Sequence, residues 1–140
     1  MILYLGTSSL ASLYVDEKCS GPVRDWVKES EIVATCRVAY TEMISALELR
    51  VKHNDISESD YNLIVKRFSQ DWHSLAVVDF DEREAGHLVK KYRLKRFDAM
   101  HLSAATLLKK RHGDLSIRFS SFDKRLCDAA ASEGLKVLTL

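Results

Sequence analysis

Short apolar or β-branched runs alternate with longer segments of helical spacing along the whole chain, and few folds accept that order. Residues 2–5 read Ile-Leu-Tyr-Leu and stop at Gly6, a buried strand by length and composition. Thr7 and Ser8 then cap a helix expected to run through Leu10, Leu13 and Tyr14. Gly21-Pro22 is expected to break the chain before a helix carrying Trp26 and Val27. A second strand is expected over 31–36, followed by a helix with Met43, Leu47 and Val51 along one face and Ile44 beside it. Ser57-x-x-Asp60 resembles a capping box and opens a helix over 57–72. Further strands are expected over 75–80, 116–121 and 135–140, and further helices over 81–92, 98–111 and 123–132. Strand and helix in turn argue an α/β fold with a parallel sheet covered on both faces. The connection between the second and third strands carries two helices, so it can form a protruding hairpin.

Composition narrows the class without naming a function. Apolar residues make up 46% and charged residues 29% of the 140, which is globular rather than disordered. No repeat, low-complexity run or linker divides the chain, so residues 1–140 read as one domain. Cys19, Cys36 and Cys127 are odd in number and far apart, which suggests neither a disulfide frame nor a zinc ribbon. The start lacks a basic region, and no later stretch nears the ~20 apolar residues of a membrane span. The expected location is cytoplasmic. The net charge of +1 hides an asymmetry: residues 1–70 carry 8 basic and 10 acidic side chains, residues 71–140 carry 13 and 10. Between Lys90 and Arg111, Asp98 is the only acid among eight Lys and Arg.

In an open parallel sheet, ligands bind at the carboxyl edge of the strands. Gly6-Thr7-Ser8 follows the first strand there, and Ser121 and Asp123 follow the fourth. Glu42 opens the helix after the second strand, and Asp98 opens the helix before the fourth. Helix N-termini favour ionised carboxylates, and three carboxylates on one edge repel unless a cation joins them. Hard oxygen donors without nearby Cys or His favour Mg²⁺, with Mn²⁺ as its substitute. Taken singly, each acid also reads as a helix cap. A phosphate-binding nest at Gly6-Thr7-Ser8-Ser9 lacks the fuller glycine pattern of a P-loop. A phospho-receiver would want an acid pair after the first strand and a lysine after the last, and this chain offers neither.

Four stretches together are similar to a known family: Leu3-Tyr4-Leu5-Gly6-Thr7-Ser8-Ser9-Leu10, Thr41-Glu42, Phe97-Asp98-Ala99-Met100-His101-Leu102 and Ser120-Ser121-Phe122-Asp123-Lys124-Arg125-Leu126. They resemble, in order and spacing, the motifs of PIN-domain ribonucleases, and most nearly the VapC-type toxins of prokaryotic toxin–antitoxin pairs. The resemblance spans essentially the whole chain. It implies a three-layer PIN-like fold, a Mg²⁺-dependent endoribonuclease of a type II toxin–antitoxin pair, and three metal-binding and catalytic acids, Glu42, Asp98 and Asp123. Ser8 and Ser121 match the small hydroxyl residues that support such a site. It also implies a VapB-type antitoxin as partner, an RNA substrate and a homodimer.

One departure bears on activity. The family's first motif reads Asp-Thr-Ser, and here Gly6 stands in the place of that metal-binding Asp. Ser12 also stands where many relatives have Lys. The resemblance then implies a weakened or inactive nuclease. Two accounts of Gly6 stay open: a degenerate member kept as a non-catalytic module that binds RNA or protein, or a detoxified form one base change away from Asp.

Remaining residues read two ways. Lys91, Arg93, Lys95 and Arg96 lie just before Asp98, where cations suit an RNA backbone and Tyr92 or Phe97 could stack on bases; they equally suit a solvated helix end. Lys109-Lys110-Arg111 reads as a helix end complementing the dipole. His101, three residues after Asp98, reads as a packed histidine or as a contact supporting the site. Trp26, Tyr61, Phe68 and Trp72 read as core by default, and as exposed anchors for a protein partner if they face out.

Overall fold

The central strand of the molecule is the first, β1 (Ile2–Leu5), as expected of an apolar run buried on both faces. The computed structural model describes all residues, Met1–Leu140. Four more strands flank it, β2 (Ile32–Cys36), β3 (Ala76–Val78), β4 (Ile117–Ser120) and β5 (Lys136–Val137). All pairings are parallel, in the order β3-β2-β1-β4-β5. Successive side chains of β1 alternate between two apolar clusters, with Ile2 and Tyr4 in one, Leu3 and Leu5 in the other.

Seven helices divide between these clusters and make three layers. On the Leu3 face lie α1 (Thr7–Ala11), α2 (Ser20–Glu29), α3 (Ala39–Lys52) and α4 (Glu58–Asp71). On the Tyr4 face lie α5 (Glu82–Tyr92), α6 (Arg96–Arg111) and α7 (Lys124–Ser132). Small residues let α6 sit close to the sheet: Ala99, Ala104 and Ala105 are buried with Leu102 in the same cluster. The order of helix and strand therefore matches the expected α/β architecture.

The expected boundaries move where local chemistry outweighs pattern. The first helix stops at Ala11, and Leu13 and Tyr14 lie in the following turn; its N-cap is Gly6, with no side-chain cap from Thr7 or Ser8. Gly21 and Pro22 fall inside the first turn of α2, because a proline there lacks only an N–H that has no helical partner anyway. The strands expected over 75–80 and 135–140 shrink to three and two residues, as befits the two edges of the sheet. Helix α6 starts at Arg96, so Asp98 stands within its first turn rather than at its start. Ser57 accepts from the Asp60 N–H at 3.0 Å, the expected cap.

The α3–α4 pair is rooted on the Leu3 face by Met43, Leu47 and Phe68, all buried, while residues 48–67, its far half, include no buried residue. The aromatics follow their default reading as core rather than as exposed anchors: Phe68 stacks on Tyr40 at 5.3 Å and meets the Trp72 ring edge-on at 5.6 Å, while Trp26 and Tyr61 are partly buried on the same cluster. Amphipathic helices over a sheet turn their largest apolar groups to the core first.

Candidate active site

The strand order reverses direction about β1 and β4, and it is there, at their carboxyl ends, that the singled-out polar residues meet. Gly6 N donates to Ser120 O at 2.9 Å, which brings the two strand ends together. Hydroxyls then stitch the turns: Ser9 Oγ lies 2.8 Å from Ser120 Oγ, and Ser8 Oγ lies 3.3 Å from Ser121 Oγ. Ser8 Oγ also accepts from Phe122 N at 2.9 Å, and Ser121 Oγ from Asp123 N at 3.1 Å. Ser8 and Ser121 thus shape the turn that presents Asp123.

Each acid is delivered by a helix start. Asp123 caps α7, its Oδ1 accepting from Leu126 N at 2.8 Å. Glu42 and Asp98 stand in the first turns of α3 and α6. The Asp98 carboxyl is pushed above the usual aspartate range, first by burial and then by the charge of Asp123. Glu42 adds to that rise, and His101 and Lys95 oppose it. Asp98 therefore feels both other acids, and the edge concentrates negative charge.

Glu42 is held more tightly than the sequence suggested. Its Oε1 accepts from Thr7 Oγ1 and from His101 Nε2, both at 2.8 Å. His101 is buried on α6, and Tyr4 OH lies 2.7 Å from its Nδ1. Thr7 and Tyr4 carried no signal beyond lying in the first motif, since their roles depend on which helices pack beside them.

Chemically, these oxygens suit a hard divalent cation. In number they fall short, because no three His, Cys, Asp or Glu side chains are gathered closely enough to hold one. Gly6 follows β1 at this same edge. Its φ of −70° and ψ of 165° are open to any residue, but a Cβ there would lie 3.3 Å from Ser121 Cβ and 3.4 Å from Ser120 O. A larger side chain at position 6 requires Ser121 to give way by a few tenths of an ångström.

Next to Glu42 opens a cavity of about 380 Å³ lined by Thr7, Ser8, Glu17, Arg50 and Phe122 among others. Glu17 and Arg50 form an ion pair on its wall. Phe122 is partly exposed at this edge, an aromatic that sequence reading passed over between two better signals. A roomier cavity, about 710 Å³, lies elsewhere, between α2, the end of α4 and the start of β2, and contains none of the three acids.

Of the four candidate RNA-contacting cations, all exposed, the structure separates the roles. Lys91 pairs with Glu133 at 3.0 Å. Arg93 ends α5 in the left-handed region with φ 57°, and its carbonyl accepts from Arg125 Nη1 at 3.2 Å. Lys95 stands at the N-cap position of α6, without a side-chain cap, and lowers the Asp98 carboxyl, and the Arg96 guanidinium lies 5.9 Å from the Phe97 ring centre. No helix is long and apolar enough to cross a membrane.

A model of the PIN domain matches residues 3–132. Ribonuclease VapC45 and Ribonuclease VapC49, both of Mycobacterium tuberculosis, are each 25% identical over 139 residues, covering 97% of this chain and 94% of their own. Among solved structures, PAE2754 of Pyrobaculum aerophilum superposes with a TM-score of 0.67 at 17% identity, over 98% of this chain and 89% of that one. FitAcB of Neisseria gonorrhoeae gives 0.63 at 16% identity, over 99% and 97%. FitAB bound to an IR36 DNA fragment gives 0.61 at 18% identity, over 99% and 94%. At such identities these structures speak for the fold.

Proposed function

Because this chain belongs to the PIN-domain family, we propose that it is the ribonuclease toxin of a type II toxin–antitoxin pair, its activity weakened by Gly6. The observation that carries this reading is the Asp98 carboxyl, driven up by burial and by Asp123 and Glu42 at the point where the strand order reverses. Carboxylates that raise one another's pKa are relieved by a shared cation. With a donor restored at position 6, Asp98, Asp123 and Glu42 would be the residues to hold Mg²⁺ or Mn²⁺. A bound divalent ion supplies an activated water and neutralises charge at an RNA phosphodiester. Lys95, Arg96 and the exposed rings of Phe97 and Phe122 border the acids and suit a single RNA strand.

The antitoxin and the homodimer belong to the same proposal. Both curated relatives are named VapC ribonucleases, which supports a VapB-type partner here. An antitoxin would place a basic side chain among the three acids, and loss of one acid at position 6 weakens only that local contact.

Cleavage of a structured RNA with Mg²⁺, with and without EDTA, tests the reading. The Gly6 form is expected to cleave little, and Gly6→Asp to cleave in an EDTA-sensitive way. Robust EDTA-sensitive cleavage by the Gly6 form would show that no acid is needed there. The lack of three gathered ligands favours one alternative, a PIN module that binds RNA or protein without cutting. That alternative requires RNA or partner binding by both forms and cleavage by neither.

A further inference from the structure

Three elements from both faces of the sheet meet at one oxygen, Glu42 Oε1, and a fourth stands behind them. Glu42 comes from α3, Thr7 from α1, His101 from α6, and Tyr4 stands behind His101 on β1. We propose that His101 is a positioning residue: with Tyr4 fixing its tautomer, it holds the Glu42 carboxylate in place before any cation or RNA arrives. This rests on the proposed nuclease reading only for its functional consequence. The relay itself is a property of the unliganded chain.

The protons follow from the geometry. A carboxylate only accepts, so the His101 Nε2 that lies 2.8 Å from Glu42 Oε1 carries a proton. Nδ1 faces the Tyr4 hydroxyl at 2.7 Å, and in the tautomer proposed it presents its lone pair there. Burial keeps the Tyr4 phenol protonated, so its single O–H donates to Nδ1. Thr7 directs its own proton to Glu42 Oε1 at 2.8 Å and offers a lone pair to Nε2 at 2.9 Å. No buried side-chain polar atom in the chain lacks a partner.

A histidine that merely filled space would not need this arrangement. His101 is 1% exposed and Tyr4 wholly buried, where apolar side chains would pack without desolvating an imidazole and a phenol. A fully satisfied network there rigidifies what it holds. What it holds is one oxygen of Glu42, while Oε2 accepts no hydrogen bond from the protein. A long, freely rotating glutamate thus becomes a preset ligand, and its orientation no longer depends on a metal. The damage at Gly6 is then confined to the missing donor, and Glu42 stands ready if that donor returns.

The test has two arms on the full chain. In the metal-free protein, ¹⁵N–¹H correlation of the imidazoles should show His101 as the Nε2–H tautomer with a slowly exchanging proton. Glu42→Ala should speed that exchange, and Tyr4→Phe should let the tautomers mix. An Nδ1–H tautomer, or an Nε2–H signal indifferent to Glu42→Ala, overturns the proposal. In the second arm, Mn²⁺ is titrated into Gly6→Asp protein carrying His101→Gln, which keeps an N–H toward Glu42, or His101→Asn, which is too short to reach. Both lose the ring and should lose similar thermal stability. His101→Asn is expected to weaken Mn²⁺ binding about 10–100-fold, and His101→Gln no more than about threefold. Equal weakening by both overturns the positioning role. If Gly6→Asp binds no Mn²⁺ while the first arm holds, the nuclease reading fails and the relay stands.

Discussion

Asp98 shows at the scale of a single residue how a candidate site strains against its fold. Its carboxyl titrates above the ordinary aspartate range because burial and the Asp123 charge disfavour ionisation. A group whose folded pKa is raised contributes stability below its unfolded pKa, near 3.9, and loses it as pH rises through the folded value. Asp98→Asn removes that loss. It should therefore melt higher than the parent at neutral pH, by at most about 4 °C, with the gap closing as pH falls below about 4. Thermal melts of the two proteins across that range, without divalent ions, would decide it. A lower Tm for Asp98→Asn at neutral pH would mean that Asp98 is already neutralised within the chain. Position 6 belongs to the same scale. Its backbone accepts Asp and only Ser121 must yield, so Gly6→Asp should fold with little change in Tm while tightening Mn²⁺ binding at least about tenfold. Calorimetric titration of both forms checks this, and equal affinities would remove position 6 from the ligand set.

Among the elements, the α5–α6 junction carries the clearest local strain. Arg93 closes α5 at φ 57°, a conformation that costs an L residue roughly 1 kcal/mol and a glycine very little. Arg93→Gly should therefore raise stability by up to about 1 kcal/mol, measured by urea unfolding. The same substitution tests whether this turn touches RNA. Weaker RNA binding in a more stable protein assigns Arg93 to the substrate path; unchanged binding leaves Lys95 and Arg96 as the remaining candidates. The cap at Ser57 gives a plainer expectation, since its hydroxyl meets the Asp60 N–H at the head of α4. Ser57→Ala should cost about 1 kcal/mol in the same assay.

Taken whole, the molecule is two apolar clusters sharing one sheet, so damage to either should be felt by both. Phe68 lies at the centre of the aromatic group formed with Tyr14, Tyr40 and Trp72. Phe68→Ala should cost about 3–5 kcal/mol, a large part of the roughly 5–15 kcal/mol that domains possess. A loss near zero would mean that α4 is anchored elsewhere. With these rings inside, apolar contact with another copy or a partner falls to side chains such as Leu49 and Leu63, which are 54% and 65% exposed on α3 and α4. Leu49→Ser and Leu63→Ser should leave monomer stability unchanged. If these helices form the homodimer proposed above, light scattering of the double variant should show the mass halve.

The order of strands and helices was legible in the sequence, because a period of two or 3.6 is a property of neighbouring residues. Residues 2–5 as a buried strand and Asp81, Asp123 and Ser57 as helix-opening residues needed no partner from afar. The short edge strands and the early start of α6 were less visible, since pattern blurs at element ends. Glu42, Asp98 and Asp123 could be named from motif and strand edge, but not how each is held. That Glu42 would lean on His101 and Thr7, and that Asp98 would feel Asp123, depended on α6 crossing the sheet to bring residues 59 positions apart within 2.8 Å. Local propensity and spacing act through chain neighbours, whereas burial, charge coupling and hydrogen-bond partners arise only when distant segments share the same space.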